Sequence, residues 1–213
     1  VGVAGLQAIA TARRLGAIVT ATDVRPATKE QVESLGAKFL AVEDEEFKQA
    51  QTAGGYAKQM SPEYMAKQQA LTATHIAKQD IVITTALIPG RPAPRLVSRD
   101  MLKAMRPGAV AVDLAVERGG NIEGVEYGAV ADVEGVRVVG YPNMAGRIPA
   151  SASALYAKNL VTFLETMVDK DSKSLGLNRA DELIKATMLT DGGEVVHPNF
   201  VDPDQPTVKK GDL

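Results

Sequence analysis

The chain has 213 residues, 45% hydrophobic and 23% charged, which suits one large globular domain or one domain with part of another. Its 24 Lys and Arg against 26 Asp and Glu give a net charge of −2, which argues against nucleic acid as the main partner. The absence of cysteine excludes disulfides and thiolate metal sites, the two histidines, His75 and His197, lie too far apart in sequence to suggest a metal centre, and neither a signal peptide nor an apolar run near the ~20 residues of a membrane span is visible.

The chain opens on Val1-Gly2-Val3-Ala4-Gly5-Leu6, most of a G-x-G-x-x-G turn with Gly2 and Gly5 as its second and third glycines. A parallel sheet needs a strand ahead of such a turn, so a first strand is expected upstream of Val1. At Gly2 a side chain would block close approach of the backbone to a pyrophosphate, and at Gly5 it would push helix and strand apart. A plain tight turn has the same two glycines. Residues 4–15 predict a helix, with Leu6, Ile9, Ala10 and Leu15 at helical spacing and Gly16 as its stop. Residues 17–22 predict a strand that ends at Asp23.

Asp23 stands about 20 residues past the turn, where an acid accepts the ribose 2′-hydroxyl of a dinucleotide. Its charge disfavours a 2′-phosphate and so selects NAD(H) over NADP(H), although Arg25 close by is a residue type that holds such a phosphate. The alternative is a cap for the next helix, which Pro26 opens over residues 26–35, with Gly36 as its stop. Residues 38–42 predict another strand. Residues 43–61 are polar and hold Gly54-Gly55-Tyr56, a long loop of the kind that is functional or mobile. Tyr56 is open to a second reading as a simple loop anchor.

Pro62 opens a helix to about residue 77, and residues 80–84 predict a strand. Thr84-Thr85-Ala86-Leu87-Ile88-Pro89-Gly90 follows, at the strand end where open α/β sheets bind ligands, or equally an ordinary exit into a loop. Ser98 caps a short helix, residues 109–112 predict a strand ending at Asp113, which reads as a turn cap, and residues 136–139 predict another strand. Alternating helices and strands to about residue 140 predict an α/β fold, a Rossmann-type doubly wound parallel sheet over residues 1–149. Residues 150–168 predict one long helix. Residues 182–190 and 194–197 predict two strands around Asp191-Gly192-Gly193, a hairpin that does not continue the sheet. The C-terminal helix and hairpin, residues 150–200, are expected to belong to a second, largely missing domain, with residues 201–213 an extended tail. Neither a Ser/His/Asp triad nor a convincing carboxylate pair stands out, so no catalytic residue is assigned. Hydride chemistry does not need one, because the cofactor carries it.

Several stretches together, Val1-Gly2-Val3-Ala4-Gly5-Leu6-Gln7-Ala8, Ala21-Thr22-Asp23-Val24-Arg25, Ala53-Gly54-Gly55-Tyr56-Ala57-Lys58 and Thr85-Ala86-Leu87-Ile88-Pro89-Gly90-Arg91-Pro92-Ala93-Pro94, resemble the NAD(H)-binding domain of the NAD(P) transhydrogenase α subunit. The resemblance runs to about Pro198. The Ile-Pro-Gly loop is also similar to that of alanine dehydrogenase, a relative of the same fold, while the Gly-Gly-Tyr loop favours transhydrogenase. The resemblance implies hydride transfer from NADH to NADP+ held by the NADP(H)-binding domain of a β subunit, coupled to proton translocation through a membrane subunit. It also implies a homodimer on the inner, cytoplasmic face of the membrane, which the helix over 150–168 helps to form unless it simply covers the sheet. By the same resemblance, Val3 and Gly5 line the pyrophosphate turn and Asp23, Val24 and Arg25 hold the adenosine ribose. Gly54, Gly55 and Tyr56 belong to a loop closing over the nucleotide, and Ala86, Leu87 and Pro89 sit beside it. The family's N-terminal domain, which orients the nicotinamide, is absent from this stretch, so the fragment alone is expected to be inactive. An alanine-dehydrogenase-like enzyme and a non-catalytic NAD-sensing module are the alternatives.

Overall fold

The computed structural model describes residues 1–50, 60–88 and 90–201. These divide into two compact units, Val1–Arg147 and a second that starts at Ile148. In the first unit, helix α1 (Val3–Arg14) leads to strand β1 (Thr20–Ala21), helix α2 (Thr28–Ser34) and strand β2 (Lys38–Phe39). Helices α3 (Glu45–Lys48) and α4 (Pro62–Ile76), strand β3 (Ile81–Thr84), helix α5 (Arg99–Lys103) and strand β4 (Val110–Asp113) follow. Strands β5 (Val130–Val133) and β6 (Val136–Val139) close the unit.

The α/β reading holds. β1 and β2 pair in parallel, and a four-stranded sheet runs in the order β3-β4-β6-β5. Its β3–β4 and β4–β6 pairs are parallel. β5 is the exception, because it runs antiparallel to β6, with Val133 opposite Val136. Glu134 and Gly135 between them both take positive φ, 56° and 82°, the backbone of a two-residue hairpin turn whose twist matches the strands. The sequence reading found no strand at residues 130–133, since Glu-Gly is a weaker turn signal than Asn-Gly or Asp-Gly.

Side chains alternate across this sheet as the pleat requires. Ala111, Asp113, Ala131, Val133, Val136 and Val138 point inward and are buried. There they join Met101, Leu102, Met105, Val97 and Ile122 in the main core. Leu102 is fully buried, which explains why so short a helix as α5 is held; Ser98 adds a cap by accepting from the Met101 N–H at 3.3 Å. Ile81 and Ile83 point the other way and are exposed. A smaller cluster of Ile9, Val32 and Ala37, with Leu6, Val19 and Phe39 against it, packs α1 and α2 over β1 and β2.

Two expectations need correction here. The polar stretch after residue 43 is not wholly loop: Asp44 accepts from the Phe47 N–H at 3.1 Å and caps α3, whose Phe47 is buried against Tyr64 and Met60. In the second unit, helix α6 (Pro149–Glu165) matches the long helix expected, but residues 182–187, read as strand, form helix α7 (Glu182–Thr187). Asp181 accepts from the Leu183 and Ile184 N–H groups at 2.8 and 3.2 Å, and this cap with Glu, Leu, Lys and Ala outweighs the nearby hairpin signal. The hairpin itself is short, β7 (Thr190–Asp191) against β8 (Glu194–Val195), with Gly192 and Gly193 at φ 61° and 92°. Among the described residues no helix is long and apolar enough to cross a membrane.

Candidate functional site

α1 begins at an uncapped end. Gly2 occupies its N-cap at φ 97°, ψ −170°, a conformation open in practice only to glycine. No side chain caps this end and its first turn holds no acid. The opening N–H groups of α1 therefore point outward with the positive end of the helix dipole behind them, which is the physical requirement for an anion site. Val3 is exposed there. A Cβ built on Gly5 meets the Thr85 Oγ1 at 3.7 Å and Val1 at 3.8 Å, ordinary contact distances among the described residues.

Asp23 follows β1 and turns back toward this helix end. Its Oδ1 accepts from the Arg25 backbone N–H and from Arg25 Nε, both at 2.9 Å, and its Oδ2 accepts from the second guanidinium nitrogen at 2.8 Å. The Val1 ammonium lies 3.3 Å from Oδ2. Burial pushes the Asp23 carboxyl up, but the Arg25 hydrogen bonds and the two positive charges outweigh it and hold it below its ordinary 3.8. α2 starts only at Thr28 and has no side-chain cap, so Asp23 is not that helix's cap. Nor is Arg25 a loose cation, because its fork is spent on Asp23, while Thr28 Oγ1 donates to the Arg25 carbonyl at 2.7 Å and steadies the turn through Val24.

The third piece is the exit of β3. Thr85 Oγ1 donates to the Val1 carbonyl at 3.4 Å, so the residues leading into Ala86 touch the opening turn. The Leu87 and Ile88 side chains are exposed beyond it. Gly2, Gly5, Asp23, Arg25 and Thr85, from three separate stretches, thus lie together at the N-terminal end of α1, and Val3, Val24, Ala86 and Leu87 are near them in sequence. Gly54, Gly55, Tyr56 and Pro89 lie outside the described residues.

The sequence reading missed two residues that shape this neighbourhood. Gln68 of α4 donates to Thr22 Oγ1 at 3.1 Å and accepts from the Val42 N–H at 2.9 Å, tying α4 to the end of β1 just before Asp23. Asn121, fully buried, holds Ala86 from the other side. Neither has a local signal, because each acts across more than 20 residues.

The family model for the alanine dehydrogenase/PNT C-terminal domain matches residues 1–198. The chain belongs to that family. Among its relatives, an NAD(P) transhydrogenase subunit alpha of Rhodospirillum rubrum is 56% identical over 198 residues, covering 93% of this chain and 52% of that protein. Alanine dehydrogenase 1 of Staphylococcus aureus is 35% identical over 114 residues, 52% of this chain and 29% of the relative. The crystal structure of transhydrogenase from Sinorhizobium meliloti superposes with a TM-score of 0.74 at 69% identity, over 92% of this chain and 50% of that one. An L-alanine dehydrogenase structure superposes with a TM-score of 0.67 at 25% identity, over 93% and 49%. The chain spans about half the length of the transhydrogenase relatives it matches. Membership confirms the resemblance and the Rossmann-type α/β fold read from the sequence.

Proposed function

We infer that this chain is the NAD(H)-binding part of a transhydrogenase α subunit. The observation that carries the reading is the uncapped, acid-free N-terminus of α1 standing beside a carboxylate, Asp23, fixed by three hydrogen bonds. An outward row of N–H groups suits a pyrophosphate, and a held carboxylate suits ribose hydroxyls. The residues present therefore fit a dinucleotide. Gly2 and Val3 bring backbone against the pyrophosphate, and the Asp23 carboxylate accepts from a ribose hydroxyl. Because Arg25 is already paired, Asp23 and Arg25 together favour a free 2′-hydroxyl over a 2′-phosphate, hence NAD(H) over NADP(H). Ala86 and Leu87 supply an apolar wall at the strand end, and Gly54, Gly55, Tyr56 and Pro89 complete the site from outside the described residues.

The nicotinamide supplies the hydride when bound, and this chain's residues bind, orient and exclude water. In this reading NADH is oxidised here and NADP+ is reduced on the NADP(H)-binding domain of a β subunit. The transfer is coupled to proton translocation by a membrane subunit, and the α subunit works as a homodimer on the cytoplasmic face. The greater identity to transhydrogenase over nearly the whole chain favours this over an alanine-dehydrogenase activity.

Mixing the full-length subunit and NADH with the β subunit's NADP(H)-binding domain and NADP+ tests it. NADPH formation is expected. Its absence, together with alanine-dependent NADH production, would assign the dehydrogenase activity instead.

A further inference from the structure

The buried pair Asp113 and Asn121 stands outside the nucleotide contacts above, yet both side chains are fully buried and fully engaged. Asp113 ends β4. Its Oδ1 accepts from the Ala115 N–H at 2.8 Å, and its Oδ2 accepts from the Asn121 and Ile122 N–H groups at 2.7 and 2.8 Å. A carboxylate buried this deeply is matched by three backbone donors, so its orientation is unique. Gly120 makes the approach possible. It takes φ +80°, and a Cβ there would stand 2.8 Å from Asp113 Oδ2 and 2.5 Å from the Val125 Cγ1.

Asp113 thereby aims Asn121 at the loop that leaves β3. The Asn121 Oδ1 accepts from the Ala86 N–H at 3.0 Å, and its Nδ2 donates to the Ala86 carbonyl at 2.9 Å and the Pro94 carbonyl at 2.8 Å. The partners decide which end of the amide is which, since an N–H needs an acceptor and two carbonyls need a donor. The last ladder bond from β4 to β3 is Leu114 N–H to the Thr84 carbonyl, at 2.9 Å. Beyond it the Asn121 amide replaces a strand backbone and pairs both polar groups of Ala86. Through Pro94 it also ties the returning end of the loop to the same point, while the Asn121 carbonyl accepts from the Leu96 and Val97 N–H groups at 2.8 and 3.1 Å.

We propose that Asp113 and Asn121 are positioning residues that clamp the neck of the loop between Ala86 and Pro94, so that Ala86 and the exposed Leu87 meet a bound NAD(H) in a prepared orientation. The proposal rests on the nucleotide reading above and deepens it, because neither residue touches the nucleotide. A prepared loop lowers the ordering cost of binding, so loosening it weakens affinity without removing a ligand contact.

Asn121→Asp in the full-length subunit tests this, since the carboxylate keeps an acceptor for Ala86 and loses both donors. NADH titration by fluorescence is expected to show a dissociation constant raised about tenfold, equivalent to about 1.4 kcal/mol. Asp181→Ala, which removes the α7 cap in the second unit, serves as the stability control. It is expected to lower the Tm and leave the constant unchanged. An Asn121→Asp protein that loses Tm but binds NADH as the wild type does overturns the proposal. Should that variant fail to fold, amide exchange in the wild-type subunit decides. Ala86 is expected to be protected like Leu114, and exchange at the rate of unstructured peptide overturns the clamp. A wild type that shows no NADH binding removes the nucleotide reading, and this proposal with it, whatever the exchange at Ala86.

Discussion

Replacing Asp23 by Asn should change which dinucleotide the site prefers. In the wild type the carboxylate takes three hydrogen bonds from Arg25, two of them from the guanidinium at 2.9 and 2.8 Å. A hydrogen bond from a ribose hydroxyl to such a carboxylate contributes about 1.5–3 kcal/mol, or roughly ten- to 150-fold in affinity. Asn is the same size but keeps one acceptor oxygen and no charge, so NADH binding should weaken by about tenfold or more. Arg25 changes in the opposite sense. Its guanidinium loses a bidentate partner and becomes available to a 2′-phosphate, so NADPH should bind more tightly. Paired NADH and NADPH titrations of the full-length subunit, with thermal unfolding alongside, measure both effects. Equal weakening of the two nucleotides, or no change in either, would refute the assignment of Asp23 to the ribose.

The other expectations are simpler. Asp23 is held below its ordinary 3.8, so its contribution to stability is complete above that value and is lost as pH falls through the lower folded value. The wild-type Tm should therefore drop more steeply than that of Asp23→Asn below pH 3.8, and parallel curves would count against the Arg25 pairing. Tyr64, buried and facing Asp44 and Glu46, is pushed up to about 12, so one tyrosine should ionise late in an ultraviolet titration. Its share of stability is present below the ordinary 10 and disappears as pH rises through the folded value. Leu102→Ala, at a fully buried core position, should cost about 2–5 kcal/mol in denaturant unfolding. Gly2→Ala, at φ 97°, should cost about 1–3 kcal/mol.

The parts of the site that the sequence made legible are those where one residue type answers one local demand. Gly2 shows because its positive φ is open in practice only to glycine, and Asp23 shows as the acid that closes a strand about 20 residues past the turn. β5 stayed hidden because Glu134 adopts a positive φ that its identity does not advertise, and α7 because the Asp181 cap competes with a hairpin signal a few residues on. Gln68 and Asn121 were invisible for a different reason. Each is an ordinary amide whose role exists only once the fold has brought a distant backbone to it.

The outward side of β3 has a practical consequence. Among the described residues β3 pairs only with β4, and Ile81 and Ile83 face solvent from it. An unpaired edge with apolar side chains is a template onto which another extended segment adds. Wherever that edge stands open, salts that strengthen apolar association promote such strand addition between copies.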